Sequence, residues 1–128
     1  VAGRFIFDAS ATLALGAGSP SLSQLVHEAA LSDDLRLFVP AASLLEADTL
    51  RTGVAEHVGM LDVLDVVALD FAAVAWCGAR VLAGATAGVA HAAYLAQPSV
   101  DWPDGRPVIT RDPGDYKGMA GVRTIPLR

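Results

Sequence analysis

Apolar residues arrive along the chain in short blocks, some alternating as strands do and others spaced as helices are. Arg4-Phe5-Ile6-Phe7 is an apolar run that stops at Asp8 and reads as a buried strand. Ser10 opens a weakly helical stretch to Leu15, and Gly16-Ala17-Gly18-Ser19-Pro20 ends it. Ser21 or Ser23 is placed to cap a second helix through Ala30, with Leu22, Leu25, Val26 and Ala29 on one face. Leu35 to Val39 predicts a second strand. Pro40 starts a third helix, where proline suits a first turn, and Gly53 stops it.

Leu61 to Leu69 predicts a third strand. Asp70 precedes a helix from Phe71 to about Ala83, and another follows from Thr86 to Ala96. Pro98 to Pro107, with its prolines and aspartates, reads as a surface loop. Pro107 to Thr110 is a strand, Asp112-Pro113 opens a turn or short helix, and Val122 to Pro126 is a last strand. Strands alternating with helices predict an α/β domain whose parallel sheet is covered on both faces. Residues 1–128 form one domain on this reading, without repeat or linker.

Composition agrees with a well-buried protein: 53% of residues are hydrophobic and 18% charged. The formal net charge is -5, so any attraction to nucleic acid must come from a bound cation or a local basic patch. The single cysteine, Cys77, permits no internal disulfide and suits a reducing compartment. Val1-Ala2-Gly3-Arg4 leads into the first strand with no leader-like segment, and a cytoplasmic location is expected. Phe71 to Ala96 is the most apolar region, but Arg80 and His91 interrupt it. No stretch reaches the roughly 20 apolar residues of a membrane span, so no membrane partner is expected.

Asp8 ends the first strand and Asp112 lies just past Val108-Ile109-Thr110. In a parallel sheet these positions share the carboxyl edge, where open α/β folds bind ligands. Acids gathered there repel one another, and a divalent cation with hard-oxygen preference relieves that conflict. Asp115 follows Asp112 at helical spacing, and Glu46 sits on the apolar side of the third helix. Each acid also has an ordinary reading. Asp8 and Asp112 can cap helices, and Glu46 can point to solvent beside Asp48 and Arg51. His91 reads as a core or pocket-edge residue rather than a ligand, and Cys77 as inert packing.

Together, Phe5-Ile6-Phe7-Asp8-Ala9-Ser10-Ala11, Pro40-Ala41-Ala42-Ser43-Leu44-Leu45-Glu46, Ala90-His91-Ala92-Ala93-Tyr94-Leu95-Ala96 and Val108-Ile109-Thr110-Arg111-Asp112-Pro113-Gly114-Asp115-Tyr116 resemble, in order, the PIN-domain family, particularly its VapC-like toxins. The resemblance implies a three-layer fold with a central parallel sheet of four or five strands. It also implies a pocket holding Mg²⁺ or Mn²⁺, and metal-dependent ribonuclease activity. Asp8, Glu46 and Asp112 match the family's metal-binding and catalytic acids, and Asp115 matches an additional acid of some members. Ser10 and Thr110 match supporting hydroxyl residues. Arg111 and Lys117 are candidates for phosphate contacts. A toxin reading further implies an RNA substrate, a cognate antitoxin and a homodimer, the last being common among relatives.

The chain departs from the family at the start of the penultimate helix. An aspartate is usual there, and this sequence has Gly88 and Val89. That departure raises the alternative of a PIN-like protein that binds RNA or a protein without cutting.

Overall fold

The computed structural model describes residues 3–127; Val1 and Ala2, read above as leading into the first strand, lie outside them. Five strands form one all-parallel sheet in the order β3-β2-β1-β4-β5. They are β1 Gly3–Phe7, β2 Leu35–Pro40, β3 Leu64–Val67, β4 Val108–Thr110 and β5 Thr124–Pro126. Six helices flank them: α1 Ala9–Gly16, α2 Pro20–Leu31, α3 Ala41–Leu50, α4 Val54–Gly59, α5 Phe71–Leu82 and α6 Ala87–Ala96. A 3-10 turn covers Pro113–Tyr116. The α/β class and the parallel sheet expected from the alternation of elements are therefore present.

Strand alternation divides the core in two. Phe7, Leu37 and Val39 point to one face, where α1, α2, α3 and α4 supply Ala11, Leu15, Leu22, Ala47, Val54 and Val58. Their neighbours Ile6, Phe38 and Val108 point to the other face, against Ala92, Ala93, Leu95 and Ala96 of α6. α5 packs outside α6. The small alanine side chains let α6 lie close to the sheet. Among the described residues, no helix is long and apolar enough to cross a membrane.

Several boundaries move for identifiable reasons. β3 is shorter than Leu61 to Leu69 because it is an edge strand, and it lasts only where β2 pairs with it, from Leu37↔Leu64 to Pro40↔Val67. β5 is likewise confined to its three partners on β4. Pro40 closes β2 with an extended ψ of 134° and caps α3 rather than entering its first turn. The second helix starts earlier than Ser21 or Ser23 would allow. Ser19 caps it, with Pro20 at its first position. α4 was not anticipated, because six residues give too little periodicity to detect. Gly53 turns into it with φ 95°, and Asp48 Oδ1 accepts the Gly53 and Ala55 N–H groups at 3.1 and 3.0 Å.

The sheet order places β1 between β2 and β4: the chain runs outward from β1 through β2 to β3, then crosses to the other side of β1 for β4 and β5. This switch point opens a crevice at the carboxyl ends of β1 and β4. Asp8 and Asp112 lie at those two ends.

Candidate functional site

Asp8, the residue after β1, is 4% exposed. A buried carboxylate needs partners, and this one has three. Its Oδ1 accepts the Ser10 hydroxyl at 2.7 Å and the Ala11 N–H at 3.0 Å, while its Oδ2 accepts the Tyr116 hydroxyl at 2.9 Å. The Ala11 bond makes Asp8 the cap of α1, so the ordinary reading of this residue holds alongside its place in the crevice.

Ser10 and Thr110 stitch the ends of β1 and β4 together. Ser10 Oγ accepts the Arg111 N–H at 2.9 Å and lies 3.3 Å from Thr110 Oγ1, which itself accepts the Asp112 N–H at 3.0 Å. Ser10 spends its one proton on Asp8, so Thr110 donates across the 3.3 Å contact. The supporting role expected for both hydroxyls has this physical content: they fix where Asp8 and Asp112 stand relative to each other.

Asp112 opens the 3-10 turn yet forms no side-chain cap bond, so the capping reading fails for it. Asp112 and Asp115 are both exposed. Glu46 reaches across from the middle of α3. Its Oε1 accepts the Thr86 hydroxyl and the Gly88 N–H, each at 3.0 Å, at the start of α6.

Asp8, Glu46, Asp112 and Asp115 all line one cleft of about 270 Å³, with Ser10, Leu13, Leu50, Thr86 and Val89. Their charges act on each other and on Tyr116. Burial pushes the Asp115 carboxyl up, and the charges of Asp112 and Asp8 add to that. Tyr116 is held far above the usual tyrosine range, first by burial and then by the charge and hydrogen bond of Asp8 and the charges of Asp115 and Glu46. It is therefore a neutral hydroxyl donor.

Mg²⁺ suits this donor chemistry, since it takes hard oxygens and is commonly held by one or two carboxylates with water completing its shell. The exposed Asp112 and Asp115 fit that pattern, with Asp8 behind them. Among the described residues, no three His, Cys, Asp or Glu side chains come together closely enough to hold an ion by themselves. An ion held here would need water or other oxygens for much of its coordination shell.

The other candidates separate. Arg111 is exposed and does not line the cleft, whereas Lys117 lines a larger neighbouring cavity. His91 is wholly buried and does not line the cleft; its Nδ1 accepts the Ala42 N–H at 3.3 Å, which leaves the proton on Nε2. Nε2 meets no partner at hydrogen-bonding geometry, although the Ala68 carbonyl lies near enough to act on the ring. Cys77 is buried, and its thiol is pushed up by that burial.

Tyr116 and Thr86 were not expected from the sequence as site residues, and Val89 only as a position lacking a carboxylate. Tyr116 ends the segment that carries Asp112 and Asp115, and that adjacency was the available signal. No family model matches the chain, and no curated protein matches it closely enough to count as a relative.

Proposed function

We propose that this protein is a metal-dependent ribonuclease of the PIN type, acting as the toxin of a toxin–antitoxin pair. The observation that carries the reading is the convergence of Asp8, Glu46, Asp112 and Asp115, from three separate parts of the chain, on one cleft at the switch point of a parallel sheet. Asp8 and Glu46 also serve local hydrogen bonding there, but among the described residues Asp112 and Asp115 make no side-chain bond that explains their presence at the same cleft.

In this mechanism Asp112 and Asp115 would hold Mg²⁺ or Mn²⁺, with Asp8 contributing directly or through water. Such a cation would supply Lewis-acid polarisation of the scissile phosphate and a more acidic water. Tyr116, Ser10 and the Ala11 N–H hold the Asp8 carboxyl group in place at the cleft. Glu46 adds negative charge at the start of α6. An antitoxin segment that blocks the cleft, and a homodimer, belong to the same reading.

The test is cleavage of RNA in Mg²⁺ or Mn²⁺ by the parent protein and by Asp8→Asn. Cleavage that depends on the cation and falls at least about a hundredfold in the variant is expected. Cleavage indifferent to Asp8 removes the proposed site. A second reading, binding of RNA or a protein without cutting, is favoured by Gly88, which provides no carboxylate at the start of α6. It replaces the first if the parent protein neither cuts RNA nor binds the cation.

A further inference from the structure

Beside the acids lies a larger cavity of about 680 Å³, within the ~300–1,000 Å³ range of ligand clefts. It shares Thr86, Val89 and Asp115 with the acidic cleft, so the two form one depression passing the start of α6. Its character is different. Trp76, Arg80 and Lys117 line it.

Arg80 lies one helical turn after Trp76 on α5, and its guanidinium lies over the indole, with Cζ 3.7 Å from the ring centroid. The guanidinium also donates to the Trp76 carbonyl at 3.1 Å, which pins its position. Tyr94 supports the indole, with ring centroids 5.6 Å apart. Among the described residues the salt bridge is Arg36–Asp65, so Arg80 has no carboxylate at that distance. A preorganised, uncompensated guanidinium plane on an aromatic support is a stacking shelf for a base and an attractor for phosphate.

We infer that this cavity receives the nucleotides of a single RNA strand flanking the phosphodiester held at the acids, a role that rests on the ribonuclease reading above. A base stacks on the Arg80–Trp76 shelf, and Arg80 and Lys117 draw the adjoining phosphates. The overall charge of -5 gives no general attraction to a polyanion, so local groups must supply the affinity. An acidic peptide would use the two cations but leave the stacking shelf idle. A nucleotide uses both, and its phosphate can share a cation with Asp115 where the two spaces meet.

The experiment measures anisotropy of a short fluorescent single-stranded RNA in Mg²⁺, on an Asp8→Asn background that prevents cutting. Arg80→Ala is expected to weaken binding about tenfold, and Arg80→Lys to recover only part of that loss because it restores charge without the plane. Lys117 is exposed, so Lys117→Ala tests the cavity without disturbing α5. It is expected to lower the salt dependence of binding by about one phosphate contact. With Trp102→Phe removing the other tryptophan, RNA is expected to quench Trp76 fluorescence.

Cleavage of RNA in the Asp8 protein is followed separately. A parent enzyme that cleaves RNA with the same KM after Arg80→Ala and Lys117→Ala overturns the inference and leaves the ribonuclease reading intact. A protein that never cleaves but loses RNA affinity in both variants keeps the inference and removes the ribonuclease. RNA binding that neither variant alters overturns the inference.

Discussion

The carboxylate of Glu46 occupies the space that a side chain on Gly88 would need. Any Cβ built at position 88 overlaps Glu46 Oε1, which accepts the Gly88 N–H at 3.0 Å. Glu46 thus delivers negative charge from α3 to the amino end of α6, where the helix dipole favours it. Thr86 completes the arrangement, donating its hydroxyl to Glu46 and accepting the Val89 N–H at 3.1 Å. The resemblance expects an aspartate encoded at the start of this helix. Here Gly88 and Val89 stand in that region, and the carboxylate beside them is that of Glu46, which the resemblance matches to a different acid.

Gly88→Ala is expected to destabilise the protein by about 1–2 kcal/mol, the scale of a lost helix cap, measured by the urea midpoint. Alanine in an unobstructed helix gains up to about 1 kcal/mol over glycine. A stabilised variant would therefore show that Glu46 moves aside freely and that the contact matters little.

Asp8→Ala and Asp8→Asn should differ in stability. Alanine removes the α1 cap and leaves the buried Tyr116 hydroxyl without its acceptor, at a combined cost of about 2–4 kcal/mol. Asparagine keeps an oxygen for the cap and loses less. Both variants lose Mg²⁺ affinity, read by calorimetric titration. Equal stabilities would contradict the hydrogen-bonding role assigned to the carboxylate.

Asp115→Asn is expected to stabilise the protein near neutral pH. Burial and the charges of Asp112 and Asp8 raise the Asp115 carboxyl in the folded state, so its ionised form opposes folding. The penalty is absent below the ordinary aspartate pKa of about 3.9 and appears as pH rises through the raised folded value. The variant's advantage should vanish in acid. Mg²⁺ should raise the melting temperature of the parent more than that of the variant. An advantage that persists unchanged in acid would assign the effect to something other than charge.

His91 predicts a loss of stability on mild acidification. Burial lowers its folded pKa, while the Ala68 carbonyl and Asp70 pull weakly the other way. An unfolded chain takes up the proton near pH 6.5 and the folded one only lower, so stability is present above about 6.5 and lost as pH falls toward the folded value. Protonation must also displace the Ala42 N–H from Nδ1. His91→Gln should flatten the urea midpoint between neutral and mildly acidic pH. An unchanged slope would mean other groups govern it.

The fold was legible because its elements are local. Asp70 and Thr86 cap helices near where the sequence placed them, and the apolar runs at Phe5-Ile6-Phe7 and Val108-Ile109-Thr110 became central strands. α4 and the limits of β3 escaped, since a two-valine helix has no measurable period and an edge strand ends where its neighbour does.

The sequence alone determined which residues carry charge and the order of strands and helices, because hydrophobic periodicity and capping act over a few residues. It could place Asp8 and Asp112 at the carboxyl ends of two strands of one parallel sheet. Only tertiary structure decided that β1 and β4 are neighbours, that Glu46 reaches α6 across the absent Gly88 side chain, and that Tyr116 closes on Asp8. Those relations depend on how layers pack, and side-chain reach between distant segments leaves no local pattern to read.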